Sequence, residues 1–332
     1  MTVRRARCGA WLLLAAVTSV ACGDDAAIDA EDGGLDQAAL CGDAADATVD
    51  PALASLGAFA VELRPAVGPA DAFTSVKGTV HDRPLSSGQL WETLGTDGDC
   101  ALLEPHFAFC DPDCEVGDVC VEDGVCEPDA RAQSVGTVTL CGVEGAEGAT
   151  LEPLAPINRY QVVGALPYPA FEEGRPVTVD AAGGEAGPFV LSTAGIAPLV
   201  VDADAEVAVV AGEPLPLRWD AGSEPSARIH VEVDISHHGG LRGAIRCETD
   251  DDGELDIGAA LVMGLVDLGV SGFPVVDMSR RTMDSTPLGG HRVDLIVTAA
   301  VQVPLAIPGL TSCVDDSGCP GGQRCQDDMR CE

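Results

Sequence analysis

The amino-acid sequence predicts an all-β protein built from two antiparallel β-sandwich domains, with two small disulfide-rich modules attached. Three observations point there. Apolar and polar residues alternate in short runs, the period of a strand with one face buried. With 39 glycines and 22 prolines in 332 residues, turn punctuation is dense, which favours short strands over long helices. The 14 cysteines include two evenly spaced clusters. The length suits about two domains of ordinary size.

The chain opens with Arg4, Arg5 and Arg7, an apolar run from Trp11 to Val17, and small residues before Cys22. This is the pattern of an export signal over residues 1–21, and Cys22 is the candidate lipidation site. Ser19 stands three places before that cysteine, where lipoprotein signals usually carry an aliphatic residue. Ser19 and Ala21 also satisfy the small-x-small rule of ordinary signal peptidase, so the alternative is a soluble periplasmic or secreted product. Residues 22–50 are rich in Ala, Asp and Gly with few large apolar groups, and read as an acidic flexible tether. No later run of about 18 apolar residues offers a second anchor.

From residue 51 the pattern changes. Phe59, Val61 and Leu63 alternate with Ala60, Glu62 and Arg64. Strand-like stretches recur near 101–109, 135–142, 159–164, 175–180 and 187–193, and turn-rich segments such as Gly183-Gly184 separate them. Residues 51–198 are therefore expected to form one sandwich, with a cysteine-rich insertion at about 100–128. A second unit is expected over 199–306. Leu215, Leu217 and Trp219 alternate; Ile229, Val231, Val233 and Ile235 make one face; and Val293, Leu295, Val297, Ala299, Val301 and Val303 make a long closing strand. Its size fits an immunoglobulin-like sandwich. Ile257, Leu261, Leu265 and Leu268 fall near helical spacing, although Gly258 and Gly264 oppose a helix there.

Cys8 leaves with the leader. If Cys22 carries a lipid, the remainder is even in number and can pair completely: Cys41, Cys100, Cys110, Cys114, Cys120, Cys126, Cys141, Cys247, Cys313, Cys319, Cys325 and Cys331. One cluster, Cys114-Glu-Val-Gly-Asp-Val-Cys120-Val-Glu-Asp-Gly-Val-Cys126, repeats as Cys319-Pro-Gly-Gly-Gln-Arg-Cys325-Gln-Asp-Asp-Met-Arg-Cys331. Gly117 matches Gly322, and Asp123 matches Asp328. With Cys110 or Cys313 upstream, each reads as a four-cysteine module closed by two disulfides, the second spanning 313–332. Connectivity does not follow from spacing. Structural zinc sites favour shorter intervals and a reducing compartment, so disulfides are preferred. Cys41, Cys100, Cys141 and Cys247 are left to form two further bridges.

In its leader ending at Cys22, its acidic tether and its Cys-x-x-Gly-x-x-Cys modules at Cys114–Cys120 and Cys319–Cys325, the chain resembles a group of uncharacterised surface lipoproteins of myxobacteria and their relatives. The resemblance covers the ends and one insertion, not the sandwiches. It implies an outer-membrane or cell-surface location and no activity.

A net charge of -36 argues against nucleic acid or an anionic headgroup as partner. The best cation candidate is the run from Glu248 to Asp256, with Asp250, Asp252, Glu254 and Asp256 as calcium ligands and Gly253 permitting the bend. Aligned as an EF-hand its twelfth position is Ala259, where a bidentate Glu is required, so an acidic turn is the simpler reading; no cofactor is otherwise implied. His237 and His238 are adjacent, and neighbours on a strand point to opposite faces. No HExxH and no GxSxG elbow occurs. Trp219, in register with Leu215 and Leu217, reads as core. Trp91 could stack on a sugar, but with so few aromatic residues a sugar-binding platform is not the expected reading.

The expectation from sequence is a non-enzymatic, lipid-anchored surface protein with a binding, adhesion or envelope-structural role, contacting the membrane through its N-terminal lipid and an unknown surface protein or glycan. The alternatives are an exported hydrolase of peptide or polysaccharide, using groups around His230, His237 and His238, and a protein-binding inhibitor role for the cysteine modules.

Overall fold

A computed structural model describes residues 41–42, 44, 49–86, 89–184, 186–201 and 207–332. The leader, Ser19, Cys22 and most of the tether lie outside the described residues. The chain first forms β1 (Ser55–Arg64), β2 (Phe73–His81), β3 (Gln89–Asp97) and β4 (Cys100–Phe107). A small hairpin of β5 (Asp118–Glu122) and β6 (Val125–Pro128) follows. Next come β7 (Ala132–Gln133), β8 (Val138–Cys141), β9 (Ala149–Leu151), β10 (Tyr160–Gln161), β11 (Pro176–Ala181) and β12 (Phe189–Ala194). The C-terminal half holds β13 (Val207–Ala208), β14 (Leu215–Arg218), β15 (Arg228–Asp234), β16 (Ala244–Asp250), β17 (Glu254–Ile257), helix α1 (Ala259–Asp267), β18 (Val275–Leu288) and β19 (His291–Ala306).

Eleven strands share one sheet, in the order β10-β2-β1-β19-β18-β15-β16-β4-β3, with β13 beside β19 and β7 beside β2. A four-stranded sheet, β12-β11-β8-β9, accompanies it. The two separate sandwiches expected on either side of residue 199 thus give way to one large sheet that draws strands from both segments. β1 pairs in parallel with β19, and β4 pairs with β16. The physical reason is that alternation reports which face of a strand is buried, not which strand lies beside it. The cysteine-rich insertion also starts later than expected, because residues 100–107 are a strand of the large sheet.

The core lies between the sheets. Phe59, Val61 and Leu63 of β1 and Val293, Leu295 and Val297 of β19 are buried with Leu140, Val179 and Leu191 of the small sheet. The Phe59 ring lies 5.6 Å from Tyr160 and 6.4 Å from Phe189, tilted in both cases. It lies across Gly78 on β2: a Cβ there would stand 2.3 Å from the ring, so only glycine fits. The sequence-predicted helix forms as α1, with Leu261, Val262 and Leu265 buried. Gly264, unfavourable by propensity, permits close approach, since a Cβ would stand 2.8 Å from Leu102 of β4.

Candidate functional site

All twelve candidate cysteines are paired. Cys110–Cys120 and Cys114–Cys126 close the first module, and Cys313–Cys325 and Cys319–Cys331 close the second. Both modules therefore pair first with third and second with fourth. Cys41–Cys141 ties the start of the described chain to β8, and Cys100–Cys247 joins β4 to β16. So many disulfides belong to an oxidising, exported environment. Among the described residues no helix is long and apolar enough to cross a membrane.

The two modules are mounted differently. The first extends from the end of β4 and is held by its own neighbours: Phe109 N–H donates to the Asp123 carboxylate at 2.9 Å, and Gly124 N–H donates to Phe109 C=O at 2.9 Å. His106 lies 3.6 Å from Asp123. Around it Phe107, Phe109, Val116 and Val125 are exposed, Phe109 by 70% and Val116 fully. The second module docks on the body. Gly272 N–H donates to Asp328 C=O at 2.8 Å, Cys331 N–H donates to Thr311 C=O at 2.9 Å, and Cys313 is buried. Asp315 caps a short 3-10 turn, Asp316–Gly318; side-chain and backbone hydrogen bonds from Ser317 hold its carboxyl below the usual range.

The acidic run divides its carboxylates among separate duties. Asp250 pairs with Arg228 at 2.6 Å, and Asp256 pairs with Arg218 at 2.8 Å, with Glu254 at 3.7 Å from the same guanidinium. Asp252 accepts from Glu254 N–H at 3.3 Å. The four candidate ligands are thus not gathered around one point. Among the described residues, the groups of three or more ligand atoms within 4.8 Å of one another are sulfurs, Cys110 with Cys114 and Cys126, and Cys313 with Cys319 and Cys331; disulfide bonding already engages them.

Asp251, in the same run, does something its neighbours do not. Its carboxylate accepts from Arg280 Nε at 2.6 Å and Nη2 at 3.1 Å, from Trp219 Nε1 at 2.8 Å and from Gly222 N–H at 3.1 Å. Arg280 also donates to the carbonyls of Ala197, Pro198 and Asp220, so all of its N–H groups are matched. Arg280 and Asp251 are buried, at 1% and 5% side-chain exposure. The pair pins the chain after β12, the β14 end, the β16–β17 turn and β18 to one point. With every donor and acceptor occupied, it is a clamp and offers nothing to a ligand. Trp219 is core, as its register implies.

The histidines do not converge. His230 lies on β15, and His237 and His238 lie in the turn beyond its end, past Asp234, which is itself about 13 Å from His230 at strand rise. In that turn, His238 has φ 64° and the two rings sit 4.1 Å apart, so the opposite-face rule for strands does not apply. Burial, together with the nearby Arg281 cation, pushes the His230 pKa down, outweighing Glu248, whose carboxylate is 3.9 Å away. Trp91 on β3 is covered by the Arg246 guanidinium, 4.3 Å from the ring centroid. Arg246 in turn donates to Glu232 at 2.7 Å. Comparison with known proteins found no family whose sequence model matches this chain and no curated protein similar to it.

Proposed function

We propose that this chain is an exported surface protein with a non-enzymatic binding, adhesion or envelope-structural role, anchored by a lipid at Cys22 and held off the outer membrane by its acidic tether. One observation carries the binding role: Phe107, Phe109, Val116 and Val125, on and beside the first cysteine module of a strongly acidic protein, are each exposed. Exposed apolar side chains on a disulfide-braced module suit a contact surface, because burying them on a partner recovers the hydrophobic gain that solvent denies them. The partner is a surface protein or glycan.

The test is capture from envelope extracts by the cleaved, oxidised protein, compared with a Phe109→Ser/Val116→Ser variant. Loss of the captured species with an unchanged melting temperature supports the reading, and equal capture by both proteins refutes it. The anchor is tested separately: Cys22→Ser should move the protein into the soluble exported fraction, and an unchanged membrane fraction rules the lipid out.

A further inference from the structure

Among the described residues, no strand pairs with the outer side of the large sheet's last strand. Within those residues β3 pairs with β4 alone, and most of β3 is exposed, Leu90 and Leu94 included. At the other end, β2 is covered by β7 and β10. A free strand edge presents unpaired N–H and C=O groups and is the usual place for strand addition. Proteins commonly blunt such edges with lysine or proline. β3 carries neither, and its bulge between Thr93 and Gly95 leaves the stretch before it regular.

Which groups face outward follows from the register. Opposed residues of antiparallel strands alternate between hydrogen-bonded pairs and closer, non-hydrogen-bonded pairs. Cys100 and Cys247 are opposed with Cα atoms 4.1 Å apart, the closer kind. The backbone groups of Cys100 therefore turn towards β3, as do those of Leu102, Glu104 and His106. Pro105, which lacks an N–H, turns the other way. Trp91 stands opposite Pro105, and Thr93 opposite Leu103, so the N–H and C=O of Trp91 and Thr93 point away from β4 to the free edge.

The same hairpin carries an unbalanced charge. Glu92 and Glu104 are directly opposed on β3 and β4, both exposed, and among the described residues neither has an ion-pair partner. Like charges directly opposed are destabilising. Beyond β4, residues 108–129 include Asp111, Asp113, Glu115, Asp118, Glu122 and Asp123, and no lysine or arginine. A second copy of a chain with net charge -36 would bring more negative charge to this edge, as would the chain's own acidic residues 23–50.

Resting on the binding role proposed above, we infer that the β3 edge receives an extended, basic segment of a partner protein, which adds a strand along Trp91–Thr93 and places cationic side chains over Glu92 and Glu104. Main-chain hydrogen bonds to Trp91 and Thr93 supply affinity. The glutamate pair selects for positive charge at alternate positions, since alternate side chains of an added strand share a face.

The experiment uses the cleaved, oxidised full chain and a blocked peptide of alternating lysine and valine, with a glutamate–valine peptide as control. Saturable, salt-sensitive binding of the lysine peptide alone is expected, with protection of the Trp91 and Thr93 amides from hydrogen exchange. Thr93→Pro removes one outward N–H without breaking a β3–β4 bond and should weaken binding about tenfold. Thr93→Val should bind like the parent, and Glu92→Gln/Glu104→Gln should lose most of the salt dependence. Binding without amide protection, or unchanged by Thr93→Pro, overturns the inference and leaves the Phe109 and Val116 surface standing on its own test. A concentration-dependent dimer abolished by Thr93→Pro also overturns it, by placing a second copy on the edge.

Discussion

The two cysteine modules have the same spacing and the same pairing pattern, yet they stand in different relations to the protein. Neither is large enough to own a core, so each depends on its disulfides for order. The first hangs from β4 by contacts within its own neighbourhood and leaves Phe109 and Val116 in solvent. The second is hydrogen-bonded through Asp328 to Gly272 and closes over the chain end with Cys313 buried. A core-less unit takes its role from its mount: the first displays, and the second fastens.

The strongest way to test that separation is to collapse the body that carries both. Asp251→Ala leaves Arg280 buried without its carboxylate and should lower global stability by about 3–5 kcal/mol, read by denaturant unfolding of Trp219 fluorescence. If the modules are self-contained, their disulfides remain protected from mild reductant in that variant. Next in size is removal of one bridge from each module. Cys319→Ser/Cys331→Ser should cost about 2–4 kcal/mol of local stability and speed hydrogen exchange at the Gly272 amide. Cys114→Ser/Cys126→Ser should leave that amide unchanged, and equal exchange in the two variants would erase the distinction.

A smaller effect separates the body from both modules by pH. His230 has a folded pKa below its ordinary value, first because of burial and then because of Arg281. The folded state therefore resists protonation. Its stability is full above the unfolded histidine pKa, about 6.5, and declines as pH falls through that value towards the folded one. His230→Gln should flatten this part of the melting-temperature profile and leave the modules unaffected. The smallest effect lies within the second module: Ser317→Ala should raise the Asp315 pKa towards the usual carboxylate range in an NMR titration, because the serine hydroxyl and its ordered amide hold it down.

Legibility in the sequence followed the simplicity of each signal. The alternation of Phe59, Val61 and Leu63 and of Ile229, Val231 and Val233 located β1 and β15, and helical spacing located α1 despite Gly258 and Gly264. β18 escaped because its inward face reads Val276, Met278, Arg280 and Thr282, so a charged residue interrupts the apolar period at the very position the core uses. Asp251 escaped for the complementary reason: among Asp250, Asp252 and Glu254 nothing local marks one carboxylate as buried. β3 escaped because both of its faces are largely exposed and the alternation that betrays a strand is missing.

By itself the sequence determined the β class, the two modules, the even set of twelve cysteines free to pair once Cys8 and Cys22 are set aside, and the acidic character, because each is written in local spacing or composition. Only the tertiary structure decided that one sheet unites residues on both sides of 199, that Cys100 meets Cys247, that Asp251 meets Arg280 and that, among the described residues, β3 has β4 as its one strand neighbour. Those outcomes depend on which distant segments lie side by side. Strand pairing is set by the whole packed arrangement, since a main-chain N–H bonds as well to one strand as to another.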